Sequence, residues 1–384
     1  MVLTKYKLGE LITQRREKND GSDLPICGVS KNGLIPPKQK DADTSIYNVF
    51  YKDDFIFNPA RMELNSIAIN DICDRAICSS LYEVFYVHRT DLLLPYYLSL
   101  IIRQKWFTRY CEFLGQGSAR EYCRFNNISE IEIEIPSLEE QQKIVDYYTI
   151  IESRIKLKQK INDNLVAVGT ASIQKNVGRC ALINLTEAEM DRLTLPDDFE
   201  IQTVSEFCRE TKSGSTPSRT NNAYWENGTI SWVKSGEVHN NITLHTEEYI
   251  TPLGLSESST KLLPKDTVLM AMYGVTAGEV GYLAIEATTN QAICGMICNS
   301  KADAAYLYFS LIQSQAVISR LSNGGAQDNL SKNFIDNIKI VVPPSEFIEK
   351  LNLAAIVEQM TLNTKEIALL EELQATALAQ LSSR

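Results

Sequence analysis

Two segments of the chain show the same change from strand-like to helix-like spacing of apolar residues. The run IEIEIPS at 131–137 alternates apolar and charged residues, as a half-buried strand does, and reaches a proline and a serine before a helical pattern begins. The run IKIVVPPS at 338–345 behaves in the same way, and Ile135 and Val342 are 207 residues apart. Internal duplication is the simplest explanation of this repeat.

The first helical pattern has a well-marked start. The hydroxyl of Ser137 can accept a hydrogen bond from the backbone N–H of Glu140, whose carboxylate can reach back, as in a capping box. Apolar residues then recur at intervals of three and four, and Gly169 and Gly178 mark where the pattern weakens. The spacing predicts a helix over about 137–178.

The second helical pattern is more regular and is typical of a coiled-coil seam. Its seam positions alternate gaps of three and four: Leu353, Ile356, Met360, Asn363, Ile367, Leu370, Gln374, Ala377 and Leu381. A helix buried on its own domain could show such a stripe, but two such helices, one after each copy of the repeat, favour mutual packing. Asn162 and Asn363 in the seams could fix the register or lie at solvated edges.

The lengths of the two helices suggest a spacer. At 1.5 Å per residue each helix would extend roughly 55 to 60 Å, more than the ~34 Å of one turn of B-DNA. An antiparallel pair of this length would hold two globular units apart, related by a pseudo-twofold axis. We therefore expect the helix pair to act as a spacer that sets the distance between the two globular units.

The two globular units contain short apolar runs bounded by turn residues, which predict strands. Examples are VFYKDDFIF, LYEVFYV, TVLMAMYGV and QAICGMICN. One helix is expected near the end of each unit, YYLSLIIRQKWFTRYCEFL in the first and AAYLYFSLIQSQAVISRL in the second, before the loops GQGSAR and NGGAQDN. The predicted fold class is mixed α/β, with two globular domains separated by a pair of long antiparallel helices. The predicted domains are 1–136, a central helix and linker at 137–195, a second globular domain at 196–344, and a distal helix at 345–384.

Composition narrows the class of protein. The chain has 384 residues, 44% of them hydrophobic, which is enough for several cores. Its longest apolar run, at 92–102, falls short of the roughly 20 residues of a membrane span, and the first residues lack the apolar region of a secretion signal. We expect a cytoplasmic protein with no membrane partner. Nine cysteines and three histidines have no disulfide-framework or metal-site spacing, so no metal is expected.

Charge and motif searches limit the possible activities. The net charge of −10 argues against a uniformly basic surface, although nucleic-acid contacts need only a local patch. The sequence has no phosphate-binding GxxxxGK[ST], no GxGxxG entering a helix and no GxSxG elbow. FNPA at 57–60 is only faintly similar to the motif that holds an amino group for methylation. A self-contained methyltransferase therefore stays an alternative without a convincing motif.

Polar loops that contain basic and aromatic residues are the remaining candidates for a functional site. In KSGSTPSRTNNAYW at 212–225, Lys212, Ser215, Thr216 and Arg219 could donate to phosphates and base edges. The alternative is a solvated loop anchored by its aromatics, with Trp225 in the core. In the first unit, similar basic loops are expected around Arg15, Arg16, Lys31, Lys38 and Lys40.

Several of these segments together resemble a known family. KSGSTPSRTNNAYWENGTISWVKSGEV, LPKDTVLMAMYGVTAGEVGYL, TTNQAI and AQDNLS, in this order and before the strand that enters the second helix, look like a target recognition domain of type I restriction-modification specificity subunits. YKDDFIFNPARMELNSIA, GSAR at 117–120 and IPSLEEQQKI resemble a second target recognition domain and the family's helix. The second copy departs from the family at 346–348, where Glu-Phe-Ile replaces the Glu-Gln pair.

The resemblance implies a non-catalytic DNA specificity subunit. Such a subunit reads a bipartite, asymmetric sequence in double-stranded DNA, one half per recognition domain, and positions two methyltransferase (M) subunits and the restriction (R) motor-nuclease subunits. It has no cofactor of its own, since S-adenosylmethionine belongs to the methyltransferase partner. The alternatives are a coiled-coil assembly scaffold without sequence readout and a stand-alone DNA methyltransferase. From side-chain type and loop placement, the expected DNA-binding residues are Arg15, Arg16, Lys31, Lys38, Arg61, Arg120, Arg124, Lys212, Ser215, Thr216, Arg219, Gln327, Asn329 and Lys332.

Overall fold

A computed structural model of the chain describes residues 2–31, 33–37, 43–115, 122–183, 185–190, 192–323 and 330–382. The chain divides into two compact units. Unit 1 comprises Met1–Arg154 and Leu370–Arg384, and unit 2 comprises Ile155–Leu369. Both units mix helices and strands, which confirms the predicted mixed α/β class. Within the described ranges no helix is long and apolar enough to cross a membrane.

Unit 1 is built on a four-stranded sheet with strand order β2-β9-β6-β7 and three two-stranded sheets, β1-β10, β3-β4 and β5-β8. Its strands are β1 Thr4–Lys7, β2 Ile12–Arg15, β3 Gly28–Ser30, β4 Gly33–Ile35, β5 Asn48–Tyr51, β6 Phe55–Phe57, β7 Ile67–Ile69, β8 Arg75–Cys78, β9 Glu83–Val87 and β10 Glu132–Ile135. Its helices are α1 Pro95–Ile102, α2 Lys105–Gly115, α3 Phe125–Ser129 and the first part of α4 Leu138–Asn176. The strands predicted from VFYKDDFIF and LYEVFYV are confirmed as β5, β6 and β9.

Unit 2 contains a five-stranded sheet with strand order β12-β19-β16-β17-β14, a three-stranded sheet β15-β13-β18 and the pair β11-β20. Its strands are β11 Glu200–Thr203, β12 Glu210–Ser213, β13 Ile230–Val233, β14 Ile242–Thr243, β15 Glu248–Ile250, β16 Thr267–Ala271, β17 Val280–Leu283, β18 Thr288–Thr289, β19 Ile293–Ile297 and β20 Lys339–Val342. Its helices are the second part of α4, α5 Glu187–Met190, α6 Val204–Phe207, α7 Pro252–Ser256, α8 Lys301–Asn323, α9 Lys332–Asp336, α10 Ser345–Lys350 and most of α11 Leu353–Ser382.

Each unit has its own core. In unit 1 the rings of Phe55 and Phe85 stack with centroids 4.9 Å apart on neighbouring strands β6 and β9. In unit 2 helix α8 packs on the five-stranded sheet, and its Tyr306 and Tyr308 are fully buried. Their hydroxyls donate to the backbone oxygens of Val341 and Asn240, so this tyrosine-rich helix leaves neither hydroxyl unpaired.

A shared frame in the two units supports the predicted duplication. Strand β1 pairs antiparallel with β10, and β11 pairs antiparallel with β20, in each case directly before a helix. The backbone N–H of Leu8 donates to the oxygen of Ile131 at 2.8 Å, and that of Val204 donates to Ile338 at 2.9 Å. The first and last strands of each unit are therefore joined by the same hydrogen bond.

The two helix entries differ at one buried position. Gln141 in α4 is fully buried, its Oε1 accepts from the N–H of Leu94, and its Nε2 donates to the oxygens of Leu92 and Pro136. The residue 207 positions later is Ile348, which is also buried but apolar. The first copy thus fastens its helix with hydrogen bonds, whereas the second uses hydrophobic packing.

Within unit 2, residues of α4 contact residues of α11. Asn363 is almost completely buried, and its Nδ2 donates to Oδ1 of Asn162 at 2.9 Å. Nδ2 of Asn162 donates to Thr364, while Nζ of Lys158 lies 3.1 Å from Oδ1 of Asn363 and 2.9 Å from Glu366. Contacts later in α4 fall earlier in α11, so these two segments run antiparallel. The side chains of both seam asparagines therefore form hydrogen bonds from one helix to the other.

The structure corrects several predictions of the helices. The helix expected over YYLSLIIRQKWFTRYCEFL is two helices, because α1 ends at Ile102 and the backbone oxygen of Gln104 accepts the N–H groups that begin α2. The distal helix is also interrupted, since Asn352 adopts a left-handed conformation (φ 53°) between α10 and α11. The N–H of Glu140 donates to Ser137 at 3.4 Å, but its carboxylate accepts from Lys143 instead of completing a capping box.

Gly169 has a different role from the one predicted. It lies inside α4, which continues to Asn176, so it does not mark a decay of the helix. A Cβ at this position would overlap the ring of Phe309 in α8. The glycine lets the two helices approach closely. Gly178, with φ +83°, does follow the helix end, as expected.

Candidate nucleic-acid interface

The polar loop of unit 2 starts at a glycine that has no room for a side chain. Gly214 follows β12, and a Cβ there would overlap the carbonyl oxygens of Thr289 and Asn290 and the hydroxyl of Thr289. The next N–H, of Ser215, donates to the oxygen of Thr289 at 2.9 Å. The loop is therefore pressed against the connection between β18 and β19.

Side-chain hydrogen bonds hold the first residues of this loop. The indole N–H of Trp232 donates to the oxygen of Ser215 at 3.0 Å, and Ser259 donates to the hydroxyl of Ser215 at 2.8 Å. The hydroxyl of Thr216 donates to Gln291 at 2.6 Å. Ser215 and Thr216 are thus fixed within the loop, and their hydroxyls already have protein partners.

Arg219 is clamped by two tryptophans and an acid. Its guanidinium carbon lies 3.6 Å from the ring centre of Trp225 and 4.9 Å from that of Trp232, and Nη1 forms an ion pair with Glu248. The two indoles meet edge to face, with centroids 5.0 Å apart. The Arg219 side chain is still 51% exposed. A guanidinium has five N–H donors in a rigid plane, so Arg219 can present further donors to a ligand while its orientation stays fixed.

Trp225 is half-buried, so neither sequence-based alternative describes it fully. Its indole N–H donates to the backbone oxygen of Ser218 at 3.1 Å, which closes the loop, and its face supports Arg219. The ring therefore serves both as an anchor and as the platform for the cation.

Acidic residues compensate the cations around this loop. Lys234 lies 2.5 Å from Glu247 and 3.2 Å from Glu248. The hydrogen bond from Arg219, helped by Lys234, holds the pKa of Glu248 below its usual value, so this carboxylate is charged at neutral pH. The loop is consequently close to electrical neutrality, and it is suited to directional hydrogen bonding more than to bulk attraction of phosphates.

The other candidates of unit 2 are tied to local partners. Lys212 forms an ion pair with Glu210 at 2.9 Å. Lys332 lies in helix α9 instead of the expected loop, and its ammonium lies 2.5 Å from Asp336 and 2.6 Å from the hydroxyl of Thr211. Gln327 and Asn329 lie outside the described residues. Arg219 is therefore the predicted cation of unit 2 with the most elaborate support.

In unit 1, Arg15 lies in strand β2 and not in the expected basic loop. Its guanidinium donates to both carboxylate oxygens of the buried Asp54, at 2.6 and 3.1 Å, and lies between the rings of Tyr51 and Tyr86. Burial raises the pKa of Asp54, against the lowering effect of Arg15. The side chain of Arg15 is only 24% exposed. This arrangement is typical of a structural ion pair.

The remaining described candidates of unit 1 are exposed, and only two of them, Lys31 and Arg61, lie at the same place. Arg16 donates to Gln14, and Arg124, at the start of α3, forms a 3.0 Å ion pair with Glu83 and stacks on Tyr122. Lys31, between β3 and β4, and Arg61, on a 3-10 helix at Pro59–Leu64, line the same cavity. Lys38, Lys40 and Arg120 lie outside the described residues.

Sequence reasoning missed the residues that position Arg219. Trp232 and Glu248 lie on the neighbouring strands β13 and β15, where they are register partners. Trp232 lies near the end of the quoted run KSGSTPSRTNNAYWENGTISWVKSGEV, so an aromatic residue shortly after the polar loop was the available signal. Glu248 is 29 residues from Arg219 and gave no signal.

The cysteines and acids of the described residues form no metal centre. Groups of three or more histidine, cysteine or acidic side chains that could hold a metal ion are absent from this part of the chain. All nine cysteines are free thiols, and seven are buried. The thiols of Cys208 and Cys298 lie 3.9 Å apart within the core of unit 2.

Comparison with known proteins gives a consistent result. The model of a family described as the type I restriction modification DNA specificity domain matches residues 3–167 and again residues 196–374. The chain is 22% identical over 378 residues to the type I restriction enzyme HindI specificity subunit of Haemophilus influenzae, with 81% of each chain covered. It is also 22% identical over 309 residues to the MjaIX specificity subunit of Methanocaldococcus jannaschii, covering 76% of this chain and 69% of that protein.

A solved structure is similar along almost the whole chain. It is the S subunit of a type I restriction-modification system from M. genitalium, with a TM-score of 0.57, 15% sequence identity, and coverage of 99% of this chain and 96% of that one. At this identity the likeness concerns the fold alone.

Proposed function

The chain belongs to the family of type I restriction modification DNA specificity domains, and from this premise we propose how its two units divide the reading of DNA. It is a DNA sequence-specificity subunit of a type I restriction-modification system. Each unit reads one half of a bipartite, asymmetric sequence. The observation that carries this proposal is the repetition: the family model matches twice, and each copy has the same strand frame before a helix.

In unit 2, Arg219 is the principal base-reading residue. Arginine that donates two parallel hydrogen bonds to O6 and N7 of guanine is the commonest specific contact in the major groove. The clamp of Trp225, Trp232 and Glu248 restricts the guanidinium to one plane, so little conformational entropy is lost when it meets a base. The near-neutral surroundings mean that most phosphate contacts come from other subunits of the complex.

The helices α4 and α11 form an antiparallel coiled coil that sets the separation of the two half-sites. Asn162 and Asn363 support this proposal, because a polar pair that forms a hydrogen bond across an apolar seam specifies a single register. One register fixes which turns of α4 lie against which turns of α11. The DNA between the half-sites is then spaced by the helix pair and is not read.

Exposed apolar side chains on the same helices support docking of two M subunits. On α4, Ile150 is 68% and Leu157 is 57% exposed, and on α11, Leu362 is 54% and Leu369 is 66% exposed. Large exposed apolar residues at helical spacing are suited to a partner helix. The M subunits supply S-adenosylmethionine and the methyl transfer, and the R subunits supply translocation and cleavage. This chain contributes no catalytic residue and no cofactor.

Exchange of residues 196–344 for the corresponding segment of another specificity subunit tests the proposal. Both junctions lie outside the paired strands β11 and β20, so the two strands are exchanged together. With an M partner present, mapping of methylated adenines should show one changed half-site, one unchanged half-site and an unchanged spacer. A change in both half-sites would contradict the assignment of one half-site to each unit.

A calorimetric titration of the purified chain with S-adenosylmethionine examines the alternative of a stand-alone methyltransferase. We expect no binding to the chain alone and clear binding once the M subunits are added. A DNA-binding measurement with partners present examines the scaffold alternative, which requires equal affinity for all sequences.

A further inference from the structure

The loop between β16 and β17 in unit 2 displays an apolar side chain to solvent. Val275, in a 3-10 helix at Gly274–Thr276, is fully exposed, and the nearby Tyr273 is 38% exposed. Covering a solvated branched aliphatic side chain with an apolar partner is favourable. Single exposed apolar residues are common on protein surfaces, so the position and the rigidity of this loop decide what Val275 can contact.

The β16–β17 loop leaves the five-stranded sheet next to the polar loop that carries Arg219. Strands β12 and β16 flank β19 and both run antiparallel to it, so they lie about 10 Å apart and point the same way. Ser213 at the end of β12 and Met270 near the end of β16 are both register partners of Cys294. The two loops therefore start at the same end of the sheet and can reach the same stretch of duplex.

A side-chain contact also connects the β16–β17 loop to the residues around Arg219. The hydroxyl of Thr276 donates to the backbone oxygen of Ser235 at 3.1 Å. Ser235 follows Lys234, whose ammonium lies 3.2 Å from Glu248. The same Glu248 carboxylate forms the ion pair with Arg219. The loop is thus held against a segment that is itself tied to the proposed base-reading arginine.

Backbone hydrogen bonds hold the β16–β17 loop in one conformation. The N–H of Gly278 donates to the oxygen of Ala271 at 2.8 Å, and that of Glu279 donates to the oxygen of Thr276 at 2.9 Å. Gly278 has φ +87°, which residues with a side chain rarely adopt. Thr276, directly after Val275, is buried. Because the loop is ordered before a ligand binds, covering Val275 costs little conformational entropy.

The group on duplex DNA that suits an apolar side chain is the 5-methyl of thymine. The base edges in the major groove present hydrogen-bond donors and acceptors, and thymine adds a methyl group that apolar side chains contact. The side chain of Val275 has two methyl groups and no polar atom, so it offers nothing to a phosphate oxygen. An arginine suited to guanine and a valine suited to thymine together distinguish more base pairs than the arginine alone.

We propose that Val275 contacts the 5-methyl group of a thymine, in the major groove of the half-site that unit 2 reads. The proposal rests on the function proposed above and adds a specificity-determining residue to the same surface. A half-site that carries an adenine for methylation has a thymine opposite that adenine, so at least one such methyl group is present.

Deoxyuridine provides the test, because it keeps every hydrogen-bonding group of thymidine and lacks only the 5-methyl group. The full chain is assembled with its M partner, and its affinity is measured for the target duplex and for duplexes in which each thymine is replaced in turn. The measurements are repeated with Val275→Ser, which removes the apolar group, and with Val275→Ile, which keeps it. Val2→Ser is the matched control, since Val2 is 86% exposed in unit 1. All these side chains are exposed, so the variants should fold, and thermal unfolding checks this.

We expect one thymine of the unit 2 half-site at which deoxyuridine lowers the wild-type affinity by roughly three- to five-fold. Val275→Ser should lower the affinity for the unmodified duplex by a similar factor and should be insensitive to deoxyuridine at that position. Val275→Ile and Val2→Ser should keep the wild-type response.

Three results overturn the proposal. The first is a unit 2 half-site in which no thymine is sensitive to deoxyuridine, and the second is the same deoxyuridine penalty in Val275→Ser as in the wild type. The third is a loss of M-subunit association in Val275→Ser with an unchanged response to deoxyuridine, which would identify Val275 as a protein contact. Exchange of residues 196–344 tests the proposed function separately, so a successful exchange with an insensitive Val275 would contradict this inference alone.

Discussion

The hydrogen-bonded asparagine pair in the helices of unit 2 gives a quantitative prediction. Replacing Asn363 by leucine fills a buried seam position with an apolar side chain but removes the donor to Oδ1 of Asn162. Lys158 keeps its 2.9 Å ion pair with Glu366, and Gln359 is exposed and returns to water. The orphaned oxygen of Asn162 is therefore the main loss.

The magnitude follows from the cost of an unpaired polar group. A fully buried acceptor without a donor costs about 1–3 kcal/mol, and because Asn162 is half-buried, Asn363→Leu should lower the free energy of unfolding by about 1–2 kcal/mol. Asn162→Leu leaves the buried amide of Asn363 without its acceptor and should cost a similar amount. The double variant removes both amides and should be less destabilised than either single variant, by roughly 1–3 kcal/mol.

Urea unfolding followed by tryptophan fluorescence provides the assay, since Trp225 and Trp232 both report on unit 2. With a slope of about 2 kcal/mol per molar urea, each single variant should lower the midpoint by roughly 0.5–1 M. Asn164→Leu is the matched control, because Asn164 is exposed on the same helix and its replacement should change stability by less than about 0.5 kcal/mol. Strictly additive single effects in the double variant, or a cost at Asn363 no larger than at Asn164, would refute the reasoning.

Three further predictions concern the loop of unit 2 and the entry to α4. Arg219→Lys should weaken base discrimination at one position of one half-site by about 1–3 kcal/mol, nearly as much as Arg219→Ala, because lysine keeps the charge but lacks the planar guanidinium. Methylation mapping on randomised sites measures this discrimination, and a lysine variant with full specificity would contradict the prediction. Gly214→Ala should displace the loop, lower the free energy of unfolding by about 1–3 kcal/mol and impair DNA binding. Gly236→Ala is the control, because no atom lies within 4 Å of the added Cβ, and it should have little effect in the same unfolding and binding assays. Gln141→Leu should destabilise unit 1 by about 2–3 kcal/mol in thermal or urea unfolding, since three backbone groups lose their hydrogen-bond partner. A neutral result would mean that an apolar residue, like Ile348 in the second copy, serves equally well at this position.

The framework of the protein could be predicted from sequence because its signals are periodic and local. Alternating and β-branched runs predicted strands such as β9, β16 and β19, and spacings of three and four predicted α4 and α11 nearly to their ends. The repeat was visible because both copies pass from a strand through proline to a helix. Local signals failed where one polar residue interrupts a helix, at Gln104 and at Asn352.

The site was harder to predict because its partners are distant in sequence. Arg15 and Arg219 look alike in the sequence, as basic residues next to polar stretches. Strand pairing places Arg15 on the buried Asp54, 39 residues away, and gives it a structural role. The same kind of pairing brings Trp232 and Glu248 to Arg219 and leaves half of its side chain exposed.

The pairing of β11 with β20 has an evolutionary consequence. Thr203 and Lys339 are register partners, so the two ends of the intervening segment meet on one ladder. A stretch of gene that encodes such a segment can be exchanged by recombination while the ladder that receives it stays intact. On the function proposed above, replacement of such a cassette changes the sequence preference in one step.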